Sequence, residues 1–154
     1  RILLADEPDN ADAWGQLAQV LSDLGDASGA ADARGQVARL EPRNVSSWLN
    51  LAAAAQAAGR YGRAAVALER AAALAPQDAA IWTRMSDLHM DLYRATDEGR
   101  FLQSAADAAR RSLRLDDNQP EIRRRLEQCQ ALLARQNFPQ NTPQTAPKTP
   151  AKKP

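Results

Sequence analysis

Hydrophobic residues recur along the chain at intervals of three and four, the spacing that places side chains on one face of an α-helix. The first predicted helix has an apolar face that consists of Trp14, Leu17, Ala18 and Leu21. Gly25 is expected to end this helix, because glycine adopts the left-handed conformation that follows many helix C-termini. The second helix has an inward face of Ala30, Val37 and Leu40. Pro42 closes the unit, which is therefore predicted to be a helical hairpin.

The landmarks of this unit recur with a period of 34 residues. Three tryptophans, three prolines and two glycines keep the period: Trp14, Trp48 and Trp82; Pro8, Pro42 and Pro76; Gly25 and Gly59. Asn44 and Asp78 stand where each can cap the helix that follows. A fixed period of this length indicates one supersecondary unit stacked on copies of itself.

These residues resemble the tetratricopeptide repeat (TPR) family, whose signature is W-x2-L-G-x2-Y…A-x3-F…P with a period of 34. The resemblance implies an all-α, right-handed α-solenoid of three TPR helical hairpins plus a C-terminal capping helix, over residues 1–136. The expected elements are repeats at about 11–44, 45–78 and 79–118 and a capping helix at 120–136. Residues 1–8 are interpreted as the end of an upstream helix, so the chain would start inside a longer array.

The third repeat is predicted to contain seven extra residues. Asp117 stands where Pro76 stood, at a spacing of 41 instead of 34. The extra residues lie around Tyr93 to Arg100, and Tyr93 takes the place of the helix-ending glycine. Seven residues make about two helical turns. An extended helical hairpin is therefore favoured, with a longer irregular loop as the alternative.

Composition supports a helical body and a different C-terminus. Hydrophobic residues make up 44% of the chain but aromatic residues only 5%, and alanine favours helix. The net charge is +1, yet residues 137–154 hold all three lysines, five of the nine prolines and no acid. Such a segment buries too little apolar surface to offset its ordering entropy. We therefore expect a disordered Pro/Lys-rich tail.

No residue pattern predicts an active site or a cofactor. A single cysteine and a single histidine exclude an intrachain disulfide and the common cysteine or histidine-pair metal motifs. Cys129 belongs to the apolar stripe of the last helix, and His89 replaces the signature tyrosine, so both are interpreted as packing residues. Neither a glycine-rich phosphate loop nor a nucleophile elbow is present. We expect a protein that is not an enzyme and binds no cofactor or metal.

The resemblance implies that a partner would bind the concave face, which the first helix of each repeat forms. The peptide-groove residues carried over from the family are Asp12, Gln19, Asp23, Leu49, Asn50, Ala53, Gln56, Thr83, Arg84, Asp87, Met90 and Asp91. Leu49 and Met90 are expected to be apolar contact residues beneath a bound segment of neutral or basic character. Some members of the family hold the C-terminal carboxylate of a heat-shock chaperone in a clamp of polar and basic residues. Only Asn50 and Arg84 match the residue types of that clamp, so a chaperone tail is not an expected ligand.

A basic patch near the C-terminal end is the alternative binding surface. Its residues are Arg110, Arg111, Arg114, Arg123, Arg124 and Arg125. Arginine pairs well with carboxylate or phosphate groups. Nucleic acid is not an expected partner, because no basic stripe with interleaved aromatic residues runs along the chain.

The sequence thus predicts a non-enzymatic protein–protein interaction module, a scaffold or assembly factor that binds an extended or helical segment in the concave groove. One alternative is a structural subunit packed into a larger complex through its Arg-rich end and tail. Another is the peptide-binding domain of a membrane-anchored cytochrome c-type maturation factor, which the repeat consensus resembles. An alanine- and arginine-rich body without lysine suggests a bacterial cytoplasmic or periplasmic protein, with membrane contact only through an anchor upstream of Arg1. Partner identity and oligomeric state stay open.

Overall fold

The computed structural model describes residues 9–137, which form seven α-helices and no strand. The helices are α1 (Ala11–Asp23), α2 (Ala27–Leu40), α3 (Val45–Ala57), α4 (Tyr61–Leu74), α5 (Ala79–Thr96), α6 (Gly99–Leu115) and α7 (Pro120–Asn137). The predicted all-α solenoid of three hairpins with a final helix is therefore confirmed. The expected upstream helix end at residues 1–8 lies outside the described residues, as does the expected tail from residue 138 onward.

Short polar side chains start the first helix of each repeat. The Asn10 side chain accepts a hydrogen bond from the Ala13 amide at 2.9 Å. Asn44 and Asp78, the two predicted caps, accept from the amides of Ser46 and Ala80 at 3.0 and 2.9 Å. Each bond satisfies a donor that the first turn of a helix would otherwise leave unpaired.

The turn between the two helices of each hairpin contains a left-handed residue. Gly25 and Gly59 have φ of 78° and 68°, as the predicted helix ends require. In the third hairpin Asp97 takes this role with φ of 56°. Because α5 and α6 have 18 and 17 residues, against 13 and 14 in the second hairpin, the inserted residues lengthen both helices rather than forming an irregular loop.

Each helix packs mainly on its neighbours in sequence, as in a solenoid. The core is rich in alanine; Ala31, Ala38, Ala55, Ala64 and Ala67 are fully buried. The indole nitrogens of Trp48 and Trp82 donate to the carbonyl oxygens of Pro42 and Pro76, at 2.9 and 3.1 Å. Because the same hydrogen bond forms in both repeats, the tryptophans and prolines recur with the same period.

Helix α7 covers the last hairpin. Ile122 and Cys129 are 3% and 0% exposed, and Cys129 lies in a cluster with Met90 and Leu102. The helix extends to Asn137, one residue into the segment expected to be tail. Among the described helices, none combines the length and apolar character that a membrane crossing requires.

Candidate functional site

Two pockets involve the helices that are expected to form the concave face, the first helices of the repeats α1, α3 and α5, together with α7. The Arg84 pocket, of about 310 Å³, lies between α3, α5 and α7 with Leu68 of α4 among its lining residues. The Arg34 pocket, of about 440 Å³, lies between α1, α2 and α3. Ala53 lines both pockets and is exposed, so the two form neighbouring parts of one surface.

Half of the twelve predicted groove residues are exposed on this surface. They are Asp12, Gln19, Asp23, Asn50, Ala53 and Arg84. Three others, Gln56, Asp87 and Asp91, are partly buried and line the Arg84 pocket. Leu49 is partly buried and packs against the core cluster that contains Ile81. It therefore contributes to the contact between repeats.

Met90 and Thr83 do not have the surface positions expected of them. Met90 is only 2% exposed and its sulfur lies 3.3 Å from that of Cys129, yet it is among the residues that line the Arg84 pocket, so its role as an apolar contact for a partner stays a prediction. The Thr83 hydroxyl lies 2.9 Å from both Ser112 Oγ and Gln119 Oε1. The turn before α7 contacts Thr83 through Gln119, and α7 packs against Met90 through Cys129.

The acids of the Arg84 pocket already have intramolecular partners. Asp87 forms an ion pair with Arg125 of α7 at 2.6 Å. Asp91 accepts from Gln56 of α3 and from Arg94, the latter at 2.9 Å. Burial raises the pKa of Asp87 above its ordinary value of 3.8, and the Arg125 charge opposes this shift. The expected preference for a basic segment is therefore not supported here, because these carboxylates are already paired.

Several hydrogen-bond donors of the concave face lack partners among the described residues. The guanidinium of Arg84 and the amide of Asn50 make no hydrogen bond or ion pair with them, and both side chains are exposed. Arg125 pairs with Asp87 through Nη2, but its Nη1 is buried without an acceptor. The surface thus offers the donors of Arg84 and Asn50 to a ligand that carries acceptors, whereas the buried Nη1 of Arg125 is not accessible.

Arg34 is a groove residue that the sequence analysis missed. It projects from α2 and lines the Arg34 pocket together with Gln19 and Asn50. Its guanidinium makes no hydrogen bond or ion pair with the described residues. A sequence signal was available in the A-x3-F part of the signature. Arg34 stands four residues after Ala30, at the position of the Phe, where the second repeat has Leu68 four residues after Ala64.

The predicted basic patch is not a free cluster of charges. Arg110 and Arg124 pair with Asp107 and Glu121 on their own helices, at 2.7 and 3.0 Å. Arg123 donates to the Asp117 carbonyl at 2.9 Å, and Arg111 stacks 3.9 Å above the Trp82 ring. Arg125 belongs to the Arg84 pocket, so the two surfaces that the sequence presents as alternatives share this residue.

The two side chains with potential reactivity, Cys129 and His89, are packing residues, of which Cys129 is buried and His89 is partly buried. Cys129 is fully buried, and burial raises the pKa of its thiol above the ordinary value of 9.0. His89 stacks with Phe101 at a centroid distance of 6.3 Å, and burial lowers the pKa of its imidazole below 6.5. Within residues 9–137, no three His, Cys, Asp or Glu side chains come together as metal ligands would.

Comparisons with known proteins agree with the repeat architecture. Residues 45–88 match the family model described as tetratricopeptide repeat, so the TPR resemblance is confirmed. No curated protein matches the sequence.

Solved TPR structures share the fold at low sequence identity. The Sgt2 TPR domain from Aspergillus fumigatus is 21% identical with a TM-score of 0.65, over 93% of this chain and 87% of that one. The first TPR of Spaghetti (RPAP3) bound to an HSP90 peptide is 20% identical with a TM-score of 0.65, over 80% and 93%. The Yersinia enterocolitica type III secretion chaperone SycD, in complex with a peptide of the translocator YopD, is 17% identical with a TM-score of 0.59, over 82% and 91%.

Proposed function

We propose that this chain is a protein-interaction module that binds a segment of another protein on its concave face, in a scaffold or assembly role without catalysis. The observation that carries the proposal is the set of unpaired donors on that face. Arg34, Arg84 and Asn50 line its pockets without any intramolecular acceptor among the described residues. Polar groups that the fold itself does not use are available to fix the orientation of a bound segment.

The shape of the concave face suits a peptide segment. Two neighbouring pockets of about 310 and 440 Å³ can each receive a side chain, while the exposed surface of Ala53 between them leaves room for a backbone. Structures with this fold include the Spaghetti domain with its HSP90 peptide and SycD with its YopD peptide. Both cases support the use of such a surface for peptide recognition.

A rival role for the Arg-rich end has less support. Five of its six arginines make contacts within the chain, and a paired charge has less to gain from a partner. We therefore place the binding surface on the concave face.

A single bulky substitution tests this proposal. Peptides selected from a displayed random library for binding to the full chain serve as probes, and their Kd values are measured by calorimetry. Ala53→Trp should weaken binding at least tenfold, because Ala53 lines both pockets and is exposed. Ala131→Trp, at an exposed position of α7 outside both pockets, is the matched control.

Binding that survives Ala53→Trp unchanged would refute the proposal. The same peptides tested against the double variant Arg123→Ala/Arg124→Ala would then show whether the Arg-rich end is used instead.

A further inference from the structure

We infer that the Arg34 pocket binds the side-chain carboxylate of a glutamate or aspartate in an acidic partner segment. The inference deepens the proposed function and rests on it, since it names the chemistry of the segment that the concave face receives. Three observations carry it: the charge of the pocket, the position of Arg34 in the repeat, and the side chains around its guanidinium.

Within residues 9–137, Arg34 is the only charged residue that lines its pocket. The other lining residues are small or neutral; the polar ones are Gln19, Ser22 and Asn50. Asp23 lies just outside this lining, where it accepts a hydrogen bond from the Gln19 amide at 2.9 Å, and no described acid of the wall itself competes for the guanidinium. An acidic side chain that enters this space therefore meets one positive charge and uncharged hydrogen-bonding groups, an arrangement that favours a carboxylate.

The position that Arg34 occupies in the first repeat is a packing position in the second repeat. Leu68, which lies 34 residues later, is 1% exposed and belongs to the central core cluster. A leucine at position 34 would extend that packing into the gap between α1 and α3. Arg34 is instead only partly buried, and its guanidinium has no partner among the described residues. A ligand anion would supply the partner that the described fold does not provide.

The surroundings leave the guanidinium accessible to a ligand. Arg34 Nη1 lies 3.9 Å from the point where a Cβ on Gly15 would be, so helix α1 has only backbone beside it. A second groove, of about 530 Å³, opens on the other side of Arg34 and shares Gln19 and Asn50 with the pocket. The guanidinium therefore lies between two open spaces.

The second groove does not compete as a carboxylate site. Asp12 and Glu41 line it, and they would repel an anion there. Glu41 accepts hydrogen bonds from Asn44 at 2.9 Å and from Ser47 at 2.5 Å, so it is held within its own turn. The acid-free Arg34 pocket is the side on which a carboxylate would bind.

The charge of the ligand also separates a partner from the chain's own tail. Residues 138–154 contain three lysines and no acid, so the tail has no side-chain carboxylate to offer. An acidic segment of another protein is the occupant that complements Arg34.

The test uses two capped peptides and NMR spectroscopy of the full chain. One is an N-acetylated, C-amidated ten-residue peptide with glutamates among alanines, and the other has glutamine at each glutamate position. The glutamate peptide should shift the Arg34 Nε–Hε resonance and the side-chain amides of Gln19 and Asn50. The glutamine peptide should bind at least tenfold more weakly, and Arg34→Gln should remove the difference between the two.

Two variants separate recognition from folding. Arg39→Gln changes an exposed arginine on the same helix outside the pocket and should bind the glutamate peptide as the wild type does. Arg34→Leu copies the residue of the second repeat; it should abolish carboxylate binding and raise Tm. A merely structural role for Arg34 would instead lower Tm in both Arg34 variants.

Several results would overturn the inference. They are equal affinity for both peptides, unchanged binding by Arg34→Gln, no shift at Arg34 with either peptide, or binding only when the peptide has a free C-terminal carboxylate. In each case the proposed function is judged separately by the library-selected peptides and Ala53→Trp. If those peptides need the concave face but not Arg34, the inference fails and the proposed function stands.

Discussion

Arg125 of the last helix forms an ion pair with Asp87 of α5, with 2.6 Å between Nη2 and Oδ1. The Asp87 side chain is 41% exposed and the Arg125 side chain 24%. This pair connects the concave face with the Arg-rich end, and it also removes two charges from the set available to a partner. Its energetic effect can be measured through its pH dependence.

Arg125→Gln should lower the free energy of unfolding by about 0.5–1 kcal/mol at pH 7, the scale of a partly exposed ion pair. Burial already raises the pKa of Asp87 in the folded state, and loss of the Arg125 charge raises it further. The folded state of the variant therefore takes up a proton before the unfolded state does as the pH falls. The difference in free energy of unfolding between the wild type and the variant should shrink between pH 7 and 4 in urea titrations. A constant difference would mean that the ion pair does not control the pKa of Asp87.

Trp48→Ala should cost about 3 kcal/mol, because the indole packs against core clusters on both sides and its nitrogen donates to the Pro42 carbonyl. Trp14→Ala should cost less, since among the described residues α1 has a neighbouring repeat on one side only. Chemical denaturation of both variants measures the difference. Equal and small losses would contradict the role of the tryptophans as repeat-packing residues.

Thr83→Val should lower stability by about 1–2 kcal/mol while leaving peptide binding unchanged. The hydroxyl contacts Ser112 and Gln119, and the buried Ser112 would lose one of its partners. Ser22→Ala, at an exposed position of α1, is a control that should leave unfolding unaffected. A binding defect in Thr83→Val with normal stability would restore Thr83 to the peptide groove.

The imidazole of His89 should make stability fall as the pH drops below 6.5. Burial lowers its pKa in the folded state, with Glu69 opposing, and its Nδ1 is buried without a partner. Between the lowered folded pKa and 6.5, the unfolded state binds the proton and the folded state does not, so acid favours unfolding. His89→Gln should flatten the stability profile in this window; parallel profiles for the two proteins would show that the imidazole is not the cause.

Removal of residues 138–154 should leave Tm and helicity nearly unchanged. The segment contains five prolines and three lysines, a composition that buries little apolar surface. Calorimetry and circular dichroism of the truncated chain provide the measurement. A loss of several degrees would show that this segment packs against the helices.

Local rules account for most of the fold that the sequence predicted. The caps at Asn44 and Asp78 and the left-handed turns at Gly25 and Gly59 depend on residues a few positions apart, so their chemistry is visible in the sequence. The 34-residue period is equally visible, because each repeat buries the same face. At the insertion the sequence favoured the two lengthened helices that the structure has, but it did not reveal the left-handed residue between them, since Asp97 is not the usual residue for such a turn.

The repeat pattern did not predict which side chains are available to a partner. The repeat pattern places Thr83, Met90 and Arg84 on one helix. It does not show that the turn before α7 contacts Thr83, that α7 packs against Met90, or that Arg84 stays exposed. It also cannot show that Asp87 is paired with a residue 38 positions later, because such pairing depends on how separate helices approach each other.

The sequence by itself determined the helices, their caps and their stacking period, because these follow from contacts within one repeat and from the burial of one recurring face. Only the tertiary structure decided which charges of the concave face stay free. Arg34 and Leu68 occupy equivalent positions, yet one lines an open pocket without a partner and the other is 1% exposed in the core. The difference arises because exposure and pairing depend on the gaps between helices of successive repeats.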